Sequence, residues 1–181
     1  MGATHDRQGP RVKLLAAILF REPAALAESL TRLAAAFSPP DFQGEPHPFT
    51  QTDYYRAEMG SGLSRCLVGF SRLVTPQSLP AAKHASAEVE KALTKGGGRS
   101  ANIDVGYLDL FKVVLASFKA RGNKLYLERG VWADMTLYFE RGRFHPLPWS
   151  FPDFREGAYD DDLHQIRELY KEQLRATEAK V

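Results

Sequence analysis

Continuous apolar runs and helical stripes alternate along the first half of the chain. The run from Val12 to Phe20 is short and unbroken, which is typical of a strand buried on both faces. Pro23 then opens a segment whose apolar residues recur at spacings of three and four, which predicts a helix ending at Pro39-Pro40. These apolar positions are Leu26, Leu30, Leu33 and Phe37.

The next segments predict a second strand and helix pair. Residues 41–50 contain Pro46 and Pro48, so a strand there belongs at a sheet edge, where a missing N–H is tolerated. Residues 64–74 form another apolar run and predict a central strand. A second helix follows from Pro76 and ends at the glycines of residues 96–98.

The second half of the chain predicts a helix and then a β-meander. Asn102-Ile103-Asp104 is typical of a strand end, and after Gly106 the apolar residues recur at helical spacing, which predicts a helix. These residues are Leu108, Phe111, Val114, Leu115 and Phe118. Strands are predicted at 125–127, 131–139 and 144–147, separated by Arg129-Gly130 and Arg141-Gly142 turns. A last amphipathic helix carries Leu163, Ile166, Leu169, Tyr170 and Leu174.

Alternation in the middle strand of the meander assigns its residues to two faces. Val131, Ala133, Met135, Leu137 and Phe139 share one face, and Trp132, Asp134, Thr136 and Tyr138 share the other. The whole pattern predicts an α+β fold with a mixed, largely antiparallel sheet and helices packed on it. We expect a ferredoxin-like core plus a C-terminal β-meander and a final helix, with a parallel three-layer sheet as the alternative.

Composition supports a globular chain and adds few functional hints. Of 181 residues, 44% are hydrophobic and 25% are charged, which is ordinary for a folded domain. We expect a flexible leader over residues 1–10 and a single domain over 11–177. A formal charge of +2 is too small to indicate a nucleic-acid surface. No apolar run reaches the ~20 residues that span a bilayer, so we expect a cytoplasmic protein without membrane contact.

Familiar catalytic and cofactor motifs are missing from the sequence. It contains neither a G-x-x-x-x-G-K-[ST] phosphate loop nor a G-x-G-x-x-G fingerprint, and its histidines show no zinc-binding spacing. Cys66 is the single cysteine, and its apolar neighbours predict a buried, unreactive thiol. Candidate chemistry must therefore come from clusters of polar residues.

One such cluster lies between the edge segment and the second strand. It combines Asp53, Tyr54, Tyr55 and Glu58 with Arg65. Loops of acids, phenols and a guanidinium commonly bind polar ligands, so we assign these residues to ligand binding. The alternative is a turn in which Asp53 caps a short helix.

A second cluster combines polar residues near the predicted strand end with the polar face of the meander. Its members are Asn102, Asp104, Tyr107, Lys112, Asp134 and Thr136. Asp104 and Asp134 could hold a divalent cation such as magnesium, because hard oxygen ligands suit that ion. Asp104, Lys112 and Asp134 are therefore the candidate catalytic residues, and the others are candidate ligand contacts. The alternative is a solvated sheet face with one structural ion pair.

An aromatic and proline-rich segment spans residues 144–154 and includes Trp149. Proline lowers the entropy lost when a loop becomes ordered. The segment is therefore either a rigid wall of a binding site, to which Trp149 would contribute, or a packed crossover under the last helix.

Several of these segments together resemble one protein family. They are Thr52-Asp53-Tyr54-Tyr55 with Glu58-Met59-Gly60, Asn102-Ile103-Asp104 with Gly106-Tyr107-Leu108, Lys112 to Ala116, and Pro146-Leu147-Pro148-Trp149 with Pro152-Asp153. The chain resembles the domain-of-unknown-function 4416 family over about residues 11–176. Val105 replaces a usual proline, and Asn123 replaces a common histidine. The resemblance implies no activity, ligand or partner.

Two functional hypotheses follow. The first is a small-molecule binding domain or enzyme for a phosphorylated or nucleotide-like ligand, in which a metal on Asp104 and Asp134 polarises a phosphoryl group while Lys112 and Arg65 offset its charge. The second is a non-catalytic protein-interaction module that uses the aromatic segment and the charged last helix. Convergence of the polar residues in one pocket would favour the first hypothesis.

Overall fold

A computed structural model describes residues 9–50, 54–94 and 98–179. The predicted leader therefore lies outside the described residues, apart from Gly9 and Pro10. The strands are β1 (Val12–Phe20), β2 (Pro40–Gln43), β3 (His47–Pro48), β4 (Ser64–Val74), β5 (Ala101–Leu108), β6 (Lys112–Ser117), β7 (Leu125–Glu128), β8 (Val131–Glu140) and β9 (Arg143–Pro146). The helices are α1 (Pro23–Ala36), α2 (Arg56–Met59), α3 (Leu79–Ala92), which follows a 3₁₀ turn at Pro76–Ser78, α4 (Pro152–Arg155) and α5 (Asp160–Glu178).

The strands form one sheet in the order β2-β4-β1-β5-β6-β8-β7, with β3 beside β4 and β9 beside β8. Every strand pair between described residues is antiparallel. The α+β prediction is confirmed, whereas the parallel alternative and the mixed sheet are not. Strands β1, β2, β4 and β5, taken with α1 and α3, have the β-α-β-β-α-β connectivity of the expected ferredoxin-like core.

Helices cover both faces of this sheet. Leu14, Ala16 and Ile18 of β1 pack in a core with α1 and α3, and the alternate residues Leu15 and Ala17 pack in a core with α5. We call these the α1–α3 face and the α5 face. Because β1 is covered on both sides, it is apolar at nearly every position although the sheet is antiparallel.

The helix predicted after Gly106 is wrong, because residues 101–117 form the antiparallel hairpin of β5 and β6. Val113 and Leu115 pack on the α5 face, while Val114 packs on the α1–α3 face. With both faces covered, apolar residues need not alternate, and the turn between two strands produced spacings of three and four that imitate a helix. The consecutive β-branched residues Val113 and Val114 favoured a strand.

The predicted alternation along β8 fails at a β-bulge. Val113 pairs with Leu137 and Val114 with Met135, so Thr136 is an extra residue in β8. Val131 packs on the α1–α3 face, whereas Leu137 packs on the α5 face. A bulge shifts the side-chain pattern by one residue and moves the following side chains to the other face.

Strands β5 and β6 separate at one end of the sheet. β1 pairs with β5 from Lys13–Leu108 to Phe20–Ala101, but between described residues β6 pairs with β5 only along 106–108. Beyond that point side chains of α3 replace the missing strand: Lys83 Nζ donates to Ile103 O at 3.1 Å, and Glu90 Oε1 accepts from Ile103 N at 2.5 Å. The gap lies near α2, since Arg99 beside β5 lies 3.5 Å from Glu58 of that helix, and we call it the cleft.

Candidate functional site

Arg65 is the centre of a buried polar cluster near the cleft. It lies at the start of β4 on the α5 face, and its side chain is 0% exposed. Its Nη1 donates to Asp153 Oδ2 at 2.6 Å, and its Nη2 lies 3.5 Å from Asp104 Oδ2. Burial alone would lower the pKa of Arg65, but the charges of Asp104 and Asp153 outweigh burial and raise it. The guanidinium also lies 4.5 Å from the ring centroid of Phe49.

Asp153 joins Arg65 to the segment before α5. Tyr159 Oη donates to Asp153 Oδ2 at 2.7 Å, and burial together with the charge of Asp153 raises the pKa of Tyr159. Within the described part of the chain, Asp153 Oδ1 and Arg65 Nε are buried and have no hydrogen-bond partner. These contacts hold residues 152–159 against the sheet.

Asp104 is the member of the cluster that reaches the surface. Its side chain is 17% exposed, and its Oδ2 accepts from Asn102 Nδ2 at 3.1 Å in addition to contacting Arg65. Arg99 Nη1 in turn donates to Asn102 Oδ1 at 2.7 Å. Among the described residues no hydrogen bond reaches Asp104 Oδ1. One carboxylate oxygen is thus held in place from inside the protein, and the other lies open at the cleft.

Aromatic residues form the wall of the cleft on the α2 side. The rings of Tyr54 and Tyr55 pack edge to face with centroids 5.0 Å apart. Burial, followed by the charge of Asp104, raises the pKa of Tyr55 to about 12, so its hydroxyl stays protonated even in moderately alkaline solution. Lys119, from the loop after β6, lies over the Tyr54 ring at 4.4 Å and donates to its hydroxyl. This contact joins the two sides of the cleft.

Among the described residues around the cleft, carboxylates and cations are equal in number. Arg99 lies 3.5 Å from Glu58 and 3.9 Å from Glu90. Burial raises the pKa of Glu90, although Lys83 and the Ile103 N–H oppose the shift. The carboxylates are Glu58, Glu90, Asp104 and Asp153, and the cations are Arg65, Lys83, Arg99 and Lys119. The preference for a ligand group therefore depends on Asp104 itself, whose second carboxylate oxygen can accept a hydrogen bond from an N–H donor.

The structure brings Asp134, Thr136 and Trp149 together in a second cluster. Asp134 lies 3.3 Å from Lys124 Nζ, and burial raises its pKa in spite of that lysine. Thr136 Oγ1 donates to Asp134 O at 3.2 Å, and Trp149 Nε1 donates to Met135 O at 2.9 Å. Trp149 is therefore fixed to β8 although it is 44% exposed, whereas Phe144 and Phe154 of the same segment are buried in the core with α5.

The predicted catalytic trio does not come together. Asp134 pairs with Leu115 of β6, which pairs with Gly106 of β5, so two strand spacings, about 10 Å, separate Asp134 from the strand of Asp104. Lys112 forms an ion pair with Asp109 at the far end of β6. Among residues 9–50, 54–94 and 98–179, no three His, Cys, Asp or Glu side chains form a group that could hold a metal ion.

Two further candidates fall outside the Arg65 cluster. Tyr107 pairs with Leu14 and packs on the α1–α3 face, where it lines a cavity of ≈ 310 Å³ with Leu79, Leu127 and Ala133. That cavity is on the opposite side of the sheet from Asp104. Asp53 lies outside the described residues. Of the first predicted cluster, Tyr54, Tyr55, Glu58 and Arg65 do lie around the cleft, together with Asn102 and Asp104.

Sequence reasoning missed Asp153, Tyr159, Glu90 and Arg99. A signal for one of them was present, because Arg65 stands in an apolar strand and a buried guanidinium requires a carboxylate partner. The identity of that partner was not readable, since Asp153 is 88 residues away along the chain. The prediction for Cys66 is confirmed: it is 0% exposed, and burial raises its thiol pKa to about 12.

The fold and the cleft define an antiparallel α+β protein with a ferredoxin-like core and a polar, aromatic-walled opening in its sheet. The chain belongs to the family described as Domain of unknown function (DUF4416), whose model matches residues 10–170. No curated protein and no solved structure matches the chain. None of the described helices is long and apolar enough to cross a membrane.

Proposed function

We propose that the protein binds a small nucleotide-like ligand in the cleft, and that Asp104 is the principal contact. The observation that carries this proposal is the asymmetry of its carboxylate. Arg65 and Asn102 hold Oδ2, while Oδ1 accepts no hydrogen bond from the described residues. Because this carboxylate is already fixed, it can orient a ligand without losing side-chain conformational entropy when the ligand binds.

Charge and shape narrow the ligand class. The carboxylate oxygen of Asp104 that faces the cleft is a hydrogen-bond acceptor, so it favours an N–H donor, such as the amino group of a nucleobase. Tyr54 is 62% exposed, and the part of its ring that Lys119 does not cover could contact a planar ring, because aromatic rings stack on bases of any sequence. A phosphoryl group on the same ligand would point away from Asp104, toward the cationic groups of Arg99 and Lys119.

The proposal is binding rather than catalysis. The catalytic roles predicted for Lys112 and Asp134 require them near Asp104, and each of these residues instead has its own ion-pair partner, Asp109 and Lys124. Magnesium remains a ligand to test together with nucleotides. A non-catalytic protein-interaction module remains the alternative.

A thermal-shift screen tests the proposal directly. The purified protein is heated with nucleobases, nucleosides, nucleotides and sugar phosphates, each with and without magnesium. A ligand at a hundred times its Kd stabilises the folded state by about 2.7 kcal/mol, which corresponds to several degrees in Tm for a chain of this size. We expect a shift with ligands that carry an amino-substituted ring and none with sugar phosphates alone.

Two matched variants locate the site. Asp104→Asn keeps the shape and an acceptor for Arg65 but removes the negative charge, so it should abolish the ligand-induced shift. Asp161→Asn makes the same chemical change on the exposed surface of α5 and should keep the shift. If no ligand shifts the Tm, or if both variants respond like the natural protein, the assignment to Asp104 is wrong.

A further inference from the structure

The cavity of ≈ 310 Å³ on the α1–α3 face lies between the start of α3 and the strands β5, β7 and β8. Most of its lining is apolar, with three polar side chains among the apolar ones. Apolar walls with a few polar groups are typical of small-molecule sites. The apolar residues are Pro76, Leu79, Pro80, Leu127 and Ala133, and the polar ones are Gln77, Tyr107 and Glu128.

The sheet directs two of the polar side chains toward this cavity. Tyr107 packs on the α1–α3 face. Glu128 pairs with Val131, which packs on the same face, and paired residues of neighbouring strands project to the same side of a sheet. Among the described residues, no hydrogen bond or ion pair reaches the Tyr107 hydroxyl, the Gln77 amide or the Glu128 carboxylate. The three groups are therefore available to a ligand.

The charge of the lining favours a cation. Among the described residues that line the cavity, Glu128 is the only charged one. The start of a helix attracts anions through its free N–H groups. At the start of α3, however, the N–H groups of Ser78 and Leu79 donate within the 3₁₀ turn, and Pro80 has no N–H. The carboxylate of Glu128 therefore sets the sign of the ligand charge.

We propose that this cavity is a second binding site, independent of the cleft, and that it binds a small amine with an aromatic ring. Its volume is that of about ten water molecules, which is enough for one ring on a short chain. The ammonium group would pair with Glu128, and the ring would pack beside Tyr107, since aromatic rings attract one another edge to face. Burial, opposed by Lys112, raises the pKa of Tyr107, so its hydroxyl stays uncharged and adds no second negative charge.

Three probes of similar size and different charge test the proposal. Phenethylamine is a cation at neutral pH, phenethyl alcohol is neutral and phenylacetate is an anion. Their binding is followed through the backbone amide chemical shifts of the isotope-labelled protein. A ligand of this size should have a Kd of about 1 mM. We expect phenethylamine to bind about two- to fivefold more tightly than the alcohol, as for an ion pair at an exposed site, and phenylacetate to bind most weakly.

Three variants locate the site. Glu128→Gln removes the charge and keeps the shape, so the amine and the alcohol should then bind equally well. Ala133→Leu fills part of the cavity from a partly buried position of β8 and should weaken the binding of both. Glu140→Gln makes the first change at another exposed glutamate of the same sheet and should keep the preference for the amine.

The proposal fails if phenethylamine does not bind at several times the expected Kd. Equal binding of the three probes by the natural protein, or a preference for the amine that survives Glu128→Gln, would show that Glu128 does not select the ligand. Binding that Ala133→Leu leaves unchanged would place the amine outside the cavity, and the assignment of the site would be wrong.

Discussion

Two cations are buried on the α5 face of the sheet, at opposite ends, and they are satisfied in different ways. Lys13 Nζ donates to Asp41 Oδ2 at 2.6 Å, to Phe70 O at 3.1 Å and to Gln173 Oε1 at 3.1 Å. All three of its donors have acceptors within the protein. Arg65 has two carboxylate partners, but its Nε has none among the described residues, and one partner, Asp104, is partly exposed.

The difference separates a structural contact from a candidate site. Lys13 fastens the end of α5 to the sheet, and Gly69 makes space for it, since a Cβ there would lie 3.3 Å from Lys13 Cε. Burial lowers the pKa of Lys13 although Asp41 opposes the shift. Arg65 instead contacts Asp104, whose Oδ1 receives no hydrogen bond from the described residues, and this is the oxygen that we propose as the ligand contact. In this comparison the two buried cations differ in the accessible acceptor beside them and not in their burial.

The largest effect should come from Asp153→Ala. This change leaves Arg65 buried with only the partly exposed Asp104 as a counter-charge and removes the acceptor of Tyr159. Loss of one partner of a buried ion pair costs about 3–5 kcal/mol, to be measured by urea unfolding. Asp161→Ala, at an exposed position of α5, is the control and should change little. A loss below about 1 kcal/mol would show that Arg65 finds other compensation.

Lys13→Met should have a smaller effect on the free energy of unfolding. Methionine fills the same apolar space, and Asp41, whose side chain is 21% exposed, can turn to water after the lysine is gone. We expect a loss of about 1–2 kcal/mol from the missing hydrogen bonds, measured in the same urea assay. A loss equal to that of Asp153→Ala would contradict the distinction between the two cations.

The free energy of unfolding should depend on pH through Lys13. Between the lowered pKa of Lys13 and the ordinary value of 10.5, the unfolded chain binds the lysine proton and the folded chain does not. Raising the pH through that window therefore favours folding. The stability of the natural protein relative to Lys13→Met should rise as the pH approaches 10.5. A constant difference between the two proteins over this range would mean that Lys13 stays charged.

Asp104→Asn should have the smallest effect on stability. The amide oxygen can still accept from Arg65 and Asn102, and the position is partly exposed, so we expect a change below about 1 kcal/mol. The same variant should lose ligand binding in the thermal-shift assay. A large loss of stability would instead make Asp104 a structural partner of Arg65, comparable with Asp153.

Unbroken apolar runs and regular helical stripes in the sequence predicted most of the fold. The bounds of β1, β4 and α1 follow from unbroken runs or a regular stripe, because burial on a whole face requires them. The β5–β6 hairpin was misread because strands covered on both faces lose their alternation. The Arg65 cluster could be predicted only in part. Tyr55, Glu58 and Arg65 are near one another in sequence, but the contact of Arg65 with Asp104 depends on the strand order, which no local pattern records.

The gap between β5 and β6 also divides the sheet mechanically. Among the described residues three pairs join the half that contains β1 to the half that contains β8, against six or more in each of the other interior pairings β1–β4, β1–β5 and β6–β8, so we expect the sheet to flex most readily along this seam. A ligand that touched both Asp104 and the end of β6 would stiffen the seam. Backbone amides in the middle of β6, away from the ligand, would then exchange with solvent more slowly.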